Sequence, residues 1–168
     1  MDFIQHTIQW CQGEIFEGKV FTFYGATILL VSLLFWKFGV TANAKAMVIP
    51  LALVGLILVP GSFSLVTKNT QRIEQYQAAF EQDPQGFIQS EKLRTDEFIA
   101  WYPKTILIFS GLALLALGLY IFVGGPTWRA ISLALILTSF TVLMLDHFSE
   151  ERADKYHTEI TKALEQSQ

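Results

Sequence analysis

The stretch MVIPLALVGLILVPGSFSLV, residues 47–66, runs twenty residues without Asp, Glu, Lys, Arg or His. A bilayer's hydrocarbon core is about 30 Å thick, and roughly 20 apolar residues of helix cross it. Three other stretches come close to that length: VFTFYGATILLVSLLFW (20–36), TILIFSGLALLALGLYIFV (105–123) and AISLALILTSFTVLML (130–145). Tyr24 and Tyr120 are the only ionisable side chains in the four. A charge at the centre of a span costs roughly 3 kcal/mol on insertion scales, so lipid selects for this absence. Four such runs in 168 residues leave too little polar surface for a water-soluble protein. The sequence therefore predicts an all-α, four-span transmembrane bundle. Spans 2, 3 and 4 extend into a small cytoplasmic helical region, and an amphipathic interfacial helix precedes span 1.

Working outward, the reading divides the chain into five parts. Residues 1–19 are the interfacial segment. Residues 20–66 are a first transmembrane hairpin with spans 20–38 and 47–66, and residues 67–104 a cytoplasmic helical hairpin. Residues 105–145 form the second transmembrane hairpin, with spans 105–123 and 127–145, and residues 146–168 a cytoplasmic C-terminal helix.

Four spans put both termini and the 67–104 segment on one side. That side carries Lys19, Lys68, Arg72, Lys92, Arg94, Lys104, Arg152, Lys155 and Lys162; the other carries Lys37, Lys45 and Arg129. Basic loops stay in the cytoplasm, so both termini are expected there. The opening MDFIQHTIQWCQGEIFEG is acidic and lacks a basic region and a small-residue cleavage site, so no cleaved signal is expected. The setting this suggests is a bacterial inner membrane. Trp10 and Trp101 are expected on the cytoplasmic border and Trp36 and Trp128 on the other, because indole prefers the headgroup layer.

Ile4, Ile8, Cys11 and Ile15 recur at helical spacing, which predicts an amphipathic helix that frays or ends at Gly13 and Gly18. Such a helix lies along the membrane or packs on the protein's own helices. Asn69, Ile73, Tyr76 and Phe80 continue span 2 beyond the lipid. Asp83-Pro84 then restarts a helix, since Asp caps free amides and Pro suits a first helical turn. Phe148, Arg152, Tyr156 and Ile160 carry span 4 onward in the same way.

Close backbone approach and hydrogen bonds govern helix association in lipid. Each span holds a small pair seven residues apart: Gly25/Ser32, Gly55/Ser62, Gly111/Gly118 and Ser132/Ser139. Seven residues is nearly two turns, so each pair forms a candidate packing seam. Pro50 is expected in the first turn of its helix, while Pro60-Gly61 lies inside the span and is a candidate kink or gate.

Chemistry is sparse. No ionisable group lies deep in the lipid, where functional ones are sought. The single cysteine excludes an intrachain disulfide and a Cys-only metal site. Catalytic-elbow, metalloprotease, phosphate-loop and zinc spacings are all missing. Asp146, Glu150, Asp154 and His157 share one helical face and are weak candidate metal ligands; the competing reading is the wet side of an amphipathic tail. No catalytic residues and no cofactor are expected, and the net charge of −3 gives no sign of nucleic-acid binding.

The function expected is a non-enzymatic assembly or accessory subunit. Its partners would be the lipid bilayer and either further copies or a second protein, met through the 67–104 hairpin and the C-terminal helix. The alternatives are a homo-oligomeric pore and a membrane-border metal-dependent enzyme acting on lipid. The chain is expected to stay in the membrane pellet after alkaline carbonate extraction; its appearance in the supernatant would refute the four-span reading.

Overall fold

The computed structural model describes residues 3–166. Five helices account for nearly all of them: α1 (Phe3–Phe38), α2 (Ala42–Gln82), α3 (Pro84–Ile99), α4 (Tyr102–Phe122) and α5 (Pro126–Gln166). Four segments are long and apolar enough to cross a membrane, and the chain is an integral, multi-pass membrane protein. At 1.5 Å per residue, the 36 residues of α1 and the 41 of α2 and α5 reach about 54 and 62 Å, well beyond the hydrocarbon. The 21 residues of α4 reach about 32 Å and only just cross. Three helices therefore run out of the lipid at the same end, where α3 joins them.

The caps are local. Thr41 opens α2 by accepting from Ala44 N, 3.2 Å away. Asp83 closes α2 and opens α3, its carboxylate accepting from Gly86 N at 3.0 Å, and Pro84 follows in the first turn. Ala100 and Trp101 separate α3 from α4, so the third span does not continue outward as one helix. Gly125, with φ +98°, turns the last hairpin at a conformation that favours glycine.

α1 departs from expectation. It runs unbroken through Gly13 and Gly18, so residues 3–19 do not form a separate helix on the membrane surface. They are the outer half of α1. Both glycines are notches: a Cβ on Gly13 would meet Arg152 Cδ at 2.6 Å, and one on Gly18 would meet Val66 Cγ2 at 2.7 Å. The buried face also differs from the expected stripe. Phe3, Thr7, Trp10, Glu14 and Glu17 turn inward with Cys11, about a quarter-turn from Ile4, Ile8 and Ile15, which are only half-buried.

Outside the lipid, Phe3, Trp10 and Cys11 of α1, Phe87 and Ile88 of α3, and Tyr156 and Ile160 of α5 form one core, with Ile73, Tyr76 and Phe80 of α2 against it. The arm 67–104 is thus half of a four-helix annex, not a free-standing hairpin. Trp10 belongs to this core at 7% exposure, whereas Trp36, Trp101 and Trp128 are exposed.

In the membrane part, α1 and α2 pack most closely. Cβ atoms on Gly25 and Gly55 would lie 3.0 Å from Leu58 Cβ and 2.5 Å from Leu29 Cγ. Ser32 donates to the Val48 carbonyl at 2.8 Å across this seam. Pro50 is two turns inside α2, not in its first turn, so it lacks the amide that would bond the Ala46 carbonyl. Ile28, Leu51, Val54 and Ala134 form the inner cluster that joins α5 to the pair. α4 packs chiefly on α5, and only 6% of the third span's apolar window is buried within the chain.

Gly25→Leu and Gly55→Leu are each expected to cost about 1–3 kcal/mol through overpacking. Gly111→Leu and Gly118→Leu, with nothing within 4 Å of a Cβ, should stay within about 0.5 kcal/mol of the parent. Unfolding in detergent, followed by circular dichroism, checks both.

Candidate functional site at the membrane border

Where α1 and α5 leave the lipid, Arg152 sits against two carboxylates. Its Nη2 donates to Glu14 Oε1 at 2.8 Å and also to Glu17 Oε2. Glu14 and Glu17 are one turn apart on α1, and the missing side chain at Gly13 admits the Arg152 stem. Ser149 donates to Glu14 Oε1 at 3.4 Å, and the Tyr102 hydroxyl lies 3.0 Å from Ser149 Oγ. Burial pushes the Glu17 carboxyl above its ordinary value, against the pull of the Arg152 hydrogen bond. Burial likewise works against the Arg152 charge, but its bonds to both glutamates prevail and raise its pKa. Glu17 Oε1 and Arg152 Nε are buried without partners.

Further out, Arg94 of α3 lies over the Trp10 ring, 4.5 Å from its centroid, and against Phe98 and Tyr76. Its Nε and Nη2 form a two-pronged pair with Glu91 at 2.8 and 2.6 Å. Tyr156 donates to Glu91 Oε2 at 2.8 Å, and its oxygen lies 3.0 Å from Thr7 Oγ1. Both partners lie on α3, so the fork, shielded by aromatic faces, holds the guanidinium against its own helix, and the bond that reaches α5 is the one from Tyr156 to Glu91. Beside it, burial pushes the Cys11 thiol up to about 11, so it stays neutral near pH 7.

The candidate metal ligands are not gathered. Asp146, Glu150, Asp154 and His157 are strung over about 16 Å of α5. Instead His157 Nε2 lies 2.7 Å from Asp96 Oδ1 and 3.0 Å from Lys92 Nζ. Lys92 in turn donates to both Asp96 oxygens at 2.9 Å, and this bond leads the causes that hold the Asp96 carboxyl low. Among the described residues no three His, Cys, Asp or Glu side chains are arranged to hold a metal.

The membrane candidates separate as well. Gly25, Ser32, Gly55 and Ser62 lie between helices or are buried. Ser132 and Ser139 are wholly buried, with hydroxyls that lack partners. Gly111 and Gly118 face open space on α4, and Pro60 and Gly61 are exposed on the outside of α2. A path through one copy of the chain does not run past Pro60-Gly61.

One cavity draws on all five helices. It encloses about 560 Å³ and is walled by Trp10 and Glu14 of α1, Arg72 of α2, Arg94 and Glu97 of α3, Tyr102 and Thr105 of α4, and Asp146 and Ser149 of α5. That volume lies within the usual range for small-molecule sites. Burial pushes the Asp146 carboxyl above its ordinary value, with the Thr105 hydroxyl drawing it partly back.

The chain matches no known family model, no curated protein and no solved structure. Its function therefore rests on this geometry alone.

Sequence periodicity gave Glu14 and Glu17 no role, and the i,i+3 spacing of Glu91 and Arg94 did not reveal that the pair is shielded. The available signal was weak: an acidic pair one turn apart beside a glycine, and an i,i+3 Glu–Arg pair flanked by aromatic residues. Arg152→Ala should cost on the order of 3 kcal/mol, because it strands two buried carboxylates. Glu14→Gln with Glu17→Gln in that background should recover part of the loss, read as a rise in unfolding midpoint.

Proposed function

We propose that the chain is a non-enzymatic assembly or accessory subunit of a bacterial inner membrane, with both termini in the cytoplasm. The annex formed by the outer parts of α1, α2, α3 and α5 is the surface it presents to a partner. The observation that carries this reading is the internal pairing of the annex charges. Arg152 of α5 with Glu14 and Glu17 of α1, and His157 of α5 with Asp96 of α3, join helices, while Arg94 with Glu91 and Lys92 with Asp96 pair within α3. Groups committed in this way make a rigid body and leave little for acid–base chemistry. On the outside of that body Leu93 is 69% exposed on α3, an apolar residue available for contact.

A homo-oligomeric pore is the second reading. It is favoured by the outward placement of Gly61, Gly111 and Gly118, which only neighbouring copies would bring together. The metal-dependent reading draws no support from the arrangement of the α5 acids.

Native mass measurement of the gently solubilised protein separates these readings. A complex with a second protein is expected, and a strictly solitary chain would overturn the subunit reading. A ring of identical chains would favour the pore, and reconstituted protein that leaks no ions or small solutes from liposomes would reject it.

A further inference from the structure

We infer that the cavity shared by the five helices is a binding site for a phosphoethanolamine zwitterion, the headgroup of an aminophospholipid. This goes beyond the subunit reading and does not depend on it.

The cavity presents unpaired charges of both signs. Arg72 forms no ion pair among the described residues; its Nη1 donates only a long bond, 3.3 Å, to the neutral Asn69 Oδ1. Glu97 likewise has no ion pair there. Asp146 keeps one oxygen, Oδ2, buried and without a partner. Trp10, 7% exposed, lines the same wall, and its indole N–H finds no acceptor in the protein. A buried donor or acceptor left unmade costs about 1–3 kcal/mol, so these groups together favour an occupant.

The occupant's chemistry follows from the walls. Arg72 and the indole N–H are donors suited to a phosphate, and Asp146 and Glu97 are acceptors suited to an ammonium. One small zwitterion satisfies both sets without importing net charge, whereas a plain anion leaves the carboxylates unmet and a plain cation leaves Arg72 unmet. The height in the membrane agrees. Tyr102 and Thr105 stand at the start of the third span and Asp146 at the end of the fourth, while Arg72 is about 9 Å beyond the end of the second. These residues bracket the headgroup layer. Trp101, 59% exposed and also in the cavity wall, is a residue type that favours the headgroup layer.

The test uses the full chain, delipidated in detergent and titrated with phosphatidylethanolamine or phosphatidylglycerol, with bound lipid read by native mass spectrometry. Phosphatidylethanolamine should bind at least about tenfold more tightly, the ratio expected for one charge-assisted hydrogen bond. Arg72→Gln and Asp146→Asn should each remove about that factor, while their unfolding midpoints stay near the parent's. Trp10→Phe removes the donor together with part of the buried ring, so it should weaken binding and also lower the unfolding midpoint. Competition by free O-phosphoethanolamine at millimolar concentration would uphold the site and make its ligand soluble; failure to compete would uphold it as a lipid site. Equal retention of the two lipids, unchanged by the three substitutions, would overturn the inference.

Discussion

Arg152, held between Glu14 and Glu17, is the contact on which the rest of the arrangement depends. It ties the first helix to the last at the level where lipid gives way to water, through residues 138 and 135 positions apart in the chain. Below it, the membrane offers little hydrophobic drive for helices to associate. Above it, the same helices enter an aqueous setting where burial of Phe3, Trp10, Tyr156 and Ile160 becomes favourable. A charged contact at the border sets the register in which the outer core closes.

That constraint explains the division of labour along each helix. Inside the lipid, contacts are close approaches of small residues, as at Gly18, Gly25 and Gly55, with the occasional hydroxyl bond from Ser32. Outside, contacts are aromatic stacks and forked ion pairs, with Trp10 stacked on Tyr156 and Phe98, and Arg94 against all three of its aromatic neighbours. Glu91 is buried at 3% exposure because Arg94 and Tyr156 together supply its hydrogen bonds. A buried carboxylate without such partners would be strongly disfavoured. α4 stands apart from this scheme: it has no outer extension, rests chiefly on α5, and turns Gly111 and Gly118 to the outside.

The functional readings follow from the same physics. Charges fixed in internal pairs make the annex a shaped surface, which suits recognition better than turnover. The cavity at the border is the exception, since Arg72, Glu97 and Asp146 in its wall form no ion pair among the described residues. It lies beside the ends of the apolar runs, between the start of α4 and the outer part of α5, which is why a lipid headgroup is the occupant proposed for it.

Much of this protein was legible in its residues. Long runs without charge can reside only in hydrocarbon, and a helix is the element that satisfies every backbone group there. Asp83-Pro84 marked a helix boundary because capping is a local matter of one carboxylate and one ring. The tertiary structure alone decided which face of α1 is buried, where α4 stands, and which way Pro60-Gly61 points. Periodicity reports the apolar side of an isolated helix, so Ile4, Ile8 and Ile15 outweighed Glu14 and Glu17. A carboxylate turns inward when a cation from a distant helix meets it, and no local pattern records that meeting.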